Sequence, residues 1–273
     1  MQFHSMFSIS ALTVVVTLIL IGIGTLSNPW RPIVSFAKEL IHSKVFLIMF
    51  LSMIGVLLLN SLELKFEESI SYNADFTPWL FSLEGKFVAT FQSWFHSDWI
   101  TTISSFFYLV VFQALILSSL IIFAGERRLQ FLKATCCAVM INYLIAIPFY
   151  LLIPVNEVWS FAPSGASLYM LEAFPEFNTL YRPLSGINNC FPSLHTSISV
   201  TVAILAVRSG NRIWAAIAVS SAAIIVFSIF YLGIHWLIDM LGGLILAGVA
   251  SSLGLKWANR FQDRIDIPHD IQA

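Results

Sequence analysis

Phe191-Pro192-Ser193-Leu194-His195-Thr196-Ser197 and, further on, Tyr231-Leu232-Gly233-Ile234-His235-Trp236-Leu237-Ile238-Asp239 each set a histidine at the mouth of a hydrophobic segment. Pro192 suits the first turn of a helix, where its missing N–H costs nothing. His235 and Asp239 are four apart, so on a helix they share one face. The carboxylate can then accept the imidazole Nδ1–H and leave Nε2 free as a base or nucleophile. The segments behind both histidines are too apolar for a soluble domain. Hydrophobic residues make up 58% of the 273-residue chain and charged residues 11%, against about 25% charged in soluble domains. The chain reads as an all-α, polytopic transmembrane helix bundle.

Working outward, about seven spans fit the length. They read as residues 7–26, 45–62, 99–124, 134–153, 193–207, 213–230 and 235–257. The fifth is short. Gly242, Gly243 and Gly248 in the seventh offer close helix contact, and Pro148 is expected to kink the fourth. Asn28-Pro29-Trp30-Arg31-Pro32 breaks the chain after the first span and opens a basic connector. Residues 63–98 are mixed. Leu80, Leu83, Phe87, Phe91 and Trp94 recur at helical spacing, which predicts an amphipathic helix lying in the interface; a lid-like loop packed on the spans is the alternative. Residues 155–192 form a long loop rich in Pro, Gly, Ser and aromatics, and a loop of that length in a compact bundle is usually functional. The whole chain reads as one membrane domain with a polar tail. Its N-terminus lacks the basic region of a signal peptide, and the apolar stretch there is long enough to remain as a span.

The connectors after the first, third, fifth and seventh spans hold eleven of the fourteen Lys and Arg residues. The positive-inside rule makes that side cytoplasmic. The N-terminus is then outside and the C-terminus inside, with both histidine stretches on the outer face.

The candidate site follows. Asp239 lies inside a span, where an ionisable group defaults to a functional reading; a structural ion pair with His235 is the alternative. The first-turn N–H groups behind Pro192, with Ser193, make an anion site beside His195. Arg182 is the best outer-side cation for a bidentate phosphate contact, or else an interfacial anchor on lipid headgroups. Asn188 and Asn189 add neutral donors. Glu157, Trp159 and Tyr231 are candidate pocket residues. His4, His42, His96 and His269 read as solvated histidines. Cys136, Cys137 and Cys190 read as packing residues without a disulfide framework. No His/Cys/Asp/Glu cluster has metal-ligand spacing, no cofactor is implied, and no basic tract points to nucleic acid. The expected partner is a membrane lipid carrying phosphate.

The two stretches resemble the motifs of the type 2 phosphatidic acid phosphatase superfamily. Pro192-Ser193-Leu194-His195 is similar to its PSGH motif, with Leu for Gly. Ser228 through His235 to Asp239 is similar to its SRxxxxxHxxxD motif, with Ile229 for the arginine. Arg182-Pro183 resembles the end of its first motif, with Pro175 where a lysine would stand. The Leu194 and Ile229 departures look more like the inositol phosphorylceramide synthase branch. The resemblance implies a six-helix core, His235 as a nucleophile forming a phosphohistidine, Asp239 as its orienter and His195 as general acid. It implies a lipid phosphatase if water accepts the phosphoryl group, and a head-group transferase if an alcohol does. A transporter or membrane scaffold using His and Asp as a proton relay is the non-enzymatic alternative, though no repeated, broken spans point to one.

Overall fold

The computed structural model describes residues 3, 5–67 and 74–263. Part of the mixed segment, residues 68–73, and the polar tail from residue 264 lie outside the described residues. The helices in order are α1 (Met6–Thr25), α2 (Trp30–His42), α3 (Lys44–Glu67), α4 (Thr77–Glu84), α5 (Phe87–Phe95), α6 (Asp98–Phe106), α7 (Phe112–Gly125), α8 (Leu129–Leu152), α9 (Met170–Ala173), α10 (Phe177–Leu180), α11 (Leu194–Ser209), α12 (Arg212–Tyr231) and α13 (Leu237–Asp263). A single π-helical turn, Phe107–Val111, joins α6 to α7. Among the described residues, six helices are long and apolar enough to cross a membrane: α1, α3, the continuous α6–α7 rod, α8, α12 and α13; α11 is a shorter apolar helix. The chain is a multi-pass helical membrane protein; six of the seven expected spans fall on these long helices, and the short fifth falls on α11.

Local chemistry sets the ends. Ser193 caps α11, its Oγ accepting from Thr196 N at 3.3 Å, a contact that stabilises a helix by about 1 kcal/mol. Gly210 closes α11 at φ 81°, where a side chain would be strained. Asn211 caps α12 through Trp214 N at 2.9 Å and donates from Nδ2 to Gly24 O at 2.8 Å, tying α12 to the end of α1.

Three differences from the sequence reading have physical causes. The basic connector after α1 is the helix α2, because Pro32 sits in a first turn that tolerates it. Its Ile33, Phe36 and Leu40, at helical spacing, pack on the core around Phe46, Leu120 and Phe123. The single amphipathic helix expected over 79–95 is two helices, α4 and α5, divided at Gly85 (φ 57°). Gly248 has nothing within 4 Å of a built Cβ; Gly254 makes the close contact instead, with Ala134 O at 2.8 Å.

α13 packs on α8 and α11, and α11 on α12. At Gly243 a Cβ would meet Ser193 O at 2.7 Å and Thr196 Cβ at 2.9 Å, so glycine lets α13 slide directly under the start of α11. The 155–192 loop is folded rather than open. Val155 N bonds Asn188 O at 2.9 Å, Glu157 N bonds Ile187 O at 2.9 Å, and Val158 N and Trp159 N bond Ile234 O and Gly233 O at 3.2 and 3.0 Å. Buried Phe174 and Phe177 anchor it.

Candidate active site

α12 ends at Tyr231 and α13 begins at Leu237, so His235 lies in the irregular connection before α13 and not on a shared helix face. Asp239 is in the first turn of α13. Its Oδ2 accepts from Trp236 N at 2.8 Å, reaching back in the manner of a capping box. The same oxygen lies 3.3 Å from His235 Nδ1. The sequence spacing of four thus works through a cap and not through a helical turn. Asp239 is fully buried and His235 nearly so.

The two quoted stretches are joined through the backbone. Ser193 N donates to the Asp239 carbonyl at 3.1 Å, and Tyr150 on α8 donates to Pro192 O at 3.1 Å. His195 and His235 come together with ring centroids 6.3 Å apart. His195 is stacked on Tyr108 at 3.8 Å and tilted against Phe112 at 4.3 Å, both at the π-turn of the α6–α7 rod. Such turns recur at functional sites because the extra residue re-aims side chains. Nε2 of His195 is buried without a partner.

Both histidines line a cavity of about 130 Å³. Its wall includes Tyr108, Tyr143, Tyr150, Tyr181, Asn60, Asn189 and Glu157. Burial pushes the Tyr181 phenol up, so it remains a neutral donor. Burial likewise holds the Glu157 carboxyl above its ordinary value, with the Arg182 guanidinium pulling the other way. Arg182 Nη1 donates to Glu157 Oε1 and, at 3.3 Å, to Gly186 O. Its guanidinium lies 4.8 Å from the Phe177 ring centroid, a cation–π distance. Nε and Nη2, the side-on fork of the guanidinium, are buried without partners.

The other expected residues are distributed differently. Asn189 lines the cavity and donates to Glu63 Oε2 at 3.3 Å. Asn188 is outside the lining and contributes its carbonyl to the Val155 pairing. Ser193 is also outside it, with its Oγ spent on the Thr196 amide. Trp159 is outside the lining; its Nε1 donates to Glu157 and its ring lies 5.8 Å from the Arg182 guanidinium. Tyr231 faces away; its hydroxyl shares a 2.7 Å hydrogen bond with Thr101 and accepts from Ser97 N at 3.2 Å.

Cys190 joins the site from a distance in sequence. Its Sγ lies within 4.8 Å of ligand atoms of His235 and Asp239, a set that could hold a metal ion, so the absence of ligand spacing in the sequence did not carry over to space. Burial pushes the Cys190 thiol up.

The PAP2 superfamily model matches residues 78–253, which include both histidines and Asp239. The chain belongs to the PAP2 superfamily. The match is to the superfamily and does not single out the inositol phosphorylceramide synthase branch. The chain is also similar to an Escherichia coli (strain K12) protein named "Putative undecaprenyl-diphosphatase YbjG", 42% identical over 70 residues. That similarity covers 25% of this chain and 34% of the relative, so the chain spans about a third of the relative's length. No solved structure matches the chain significantly.

Proposed function

We propose that this PAP2 superfamily member is a membrane enzyme that removes or transfers a phosphoryl group on a lipid, with His235 as nucleophile. The observation that carries it is that His195 and His235 line one cavity, with Asp239 Oδ2 3.3 Å from Nδ1 of His235 behind its wall. Asp239 holds Nδ1–H, so Nε2 of His235 carries the lone pair. Nε2 attacks phosphorus, the lipid–oxygen bond breaks, and His195 delivers a proton to the departing oxygen. Water then attacks the phosphohistidine; His195 takes its proton, and the N–P bond breaks to release phosphate and free His235. A general acid in the place of His195 contributes roughly 10²–10⁴-fold. Undecaprenyl-diphosphatase activity is named for the E. coli relative; the same class of lipid phosphate is the substrate proposed here.

One observation favours head-group transfer as a second reading. The guanidinium of Arg182 is already paired with Glu157, so the site meets a singly charged phosphodiester with less electrostatic cost than a dianionic monoester, and Glu157 can accept from an acceptor alcohol. We further propose that Arg182 binds phosphate through its free side-on fork, that Asn189 donates to it, and that the site faces the side of the membrane opposite the basic connectors. The test of the function is purified protein supplied with lipid monophosphates, lipid diphosphates and phosphodiester lipids. Phosphate release supports the phosphatase, a new phospholipid supports the transferase, and turnover of none of them sinks both.

A further inference from the structure

The turn that carries His235 has no regular structure of its own, and two helices outside the cavity grip it at both ends. Residues 232–236 connect α12 to α13. At the leading end, Gln92 on α5 is 2% exposed. Its Nε2 donates to Tyr231 O at 2.9 Å and to Ser167 O at 2.7 Å, and its Oε1 accepts from Ser167 N at 2.9 Å. Gly233 lies against this junction at φ 79°, where a Cβ would meet Ser167 O at 2.3 Å and Gln92 Nε2 at 2.9 Å. At the trailing end, half-buried Glu84, the last residue of α4, accepts from Leu237 N through Oε2 and from Ile238 N through Oε1, both at 2.7 Å. Those are the first two amides of α13, and the preceding amide, Trp236 N, goes to Asp239. Two carboxylates thus cap three successive N–H groups at the positive end of a long helix, where an anion is favoured. One of the two carboxylates is the partner of His235.

Neither Glu84 nor Gln92 lines the cavity. Both lie in the stretch whose spacing gave only an amphipathic helix, and the nucleophile motif does not include them. We propose that α4 and α5 form a clamp that fixes the His235 turn, with Glu84 and Gln92 as positioning residues for phosphoryl transfer. The proposal rests on the reading of His235 as the nucleophile.

The two grips have opposite polarity, and this gives a test by isosteres. Glu84 faces only N–H donors. Glu84→Gln keeps the shape but turns an NH₂ toward an amide N–H. Gln92 faces two carbonyls and one N–H, so Gln92→Glu aims a carboxylate at two carbonyl oxygens. Small misplacements of a reacting group cost up to about a hundredfold in rate. Each isosteric variant is therefore expected to lose roughly ten- to a hundredfold in kcat with KM unchanged, because the substrate's own contacts are untouched. Gln92→Ala, which removes the grip without adding repulsion, should fall between Gln92→Glu and the parent. Gln130→Ala is the control: Gln130 donates to Asn259 Oδ1 at 2.6 Å on an exposed surface between α8 and α13, and its loss should leave kcat alone. Rates are taken per folded protein, counted by monodisperse elution and thermal melting in detergent. Parental kcat in both isosteres, or losses no larger than the loss of folded protein, overturns the clamp. His235→Ala run in parallel separates the two ideas. If it is inactive while the isosteres are parental, only the clamp fails. If it retains parental turnover, the nucleophile reading fails and the clamp with it.

Discussion

Arg182 illustrates what single residues can and cannot announce. Its place before Pro183 in an outer loop marked it as a phosphate contact, but its partner Glu157 lies 25 residues earlier and no spacing rule links them. The ion pair leaves a two-donor fork, Nε and Nη2, unsatisfied. Buried donors without partners cost about 1–3 kcal/mol each, a cost that an incoming phosphate would relieve. Arg182→Lys keeps the charge and removes the fork. It is expected to lower kcat/KM about tenfold or more, roughly the 1.5–3 kcal/mol of a hydrogen bond to a charged group, as measured on whichever lipid the enzyme turns over. Parental kcat/KM in the lysine variant would leave Arg182 as a structural partner of Glu157. His235 and Asp239 were legible because their spacing is fixed locally; Tyr108, in an unbroken apolar run, was not, because only the π-turn aims it at His195.

Among the elements, the spans were legible from hydropathy, since apolar runs of such length have no other solution in a bilayer. The helices that lie between them were harder. α2 begins with prolines that also mark a break, and α4 and α5 share one apolar stripe that continues across Gly85. Helix contacts follow glycines only where a neighbour is present. Gly243→Ala is expected to destabilise the protein by roughly 1–3 kcal/mol through overpacking against Ser193 and Thr196. Gly248→Ala, facing open space, should be neutral or stabilise by up to about 1 kcal/mol. Thermal melts in one detergent compare them directly. Equal melting temperatures would mean that α13 does not depend on the close approach at Gly243.

For the whole molecule, the basic asymmetry and the position of the site make a joint statement. The topology proposed above puts the folded loop that covers the cavity on the face opposite the basic connectors. A cysteine placed at exposed Leu184, in a variant whose native cysteines are replaced, should react with an impermeant reagent added to intact cells. Reaction only after lysis would put the site on the cytoplasmic face. The fold and the motif residues His195, His235 and Asp239 could be picked out from the sequence because each depends on local pattern. The cavity wall, the Glu157–Arg182 pair, Cys190 and the Glu84 and Gln92 grips could not, because each joins residues that only the packed bundle brings together. The central claim is that His235 carries the phosphoryl group. Its most direct measurement is single turnover quenched with alkaline detergent, using a lipid phosphate labelled on phosphorus and comparing the parent with His235→Ala. A base-stable, acid-labile label on the parent protein, absent from a folded and inactive His235→Ala variant, is the predicted result; parental turnover by that variant would contradict it.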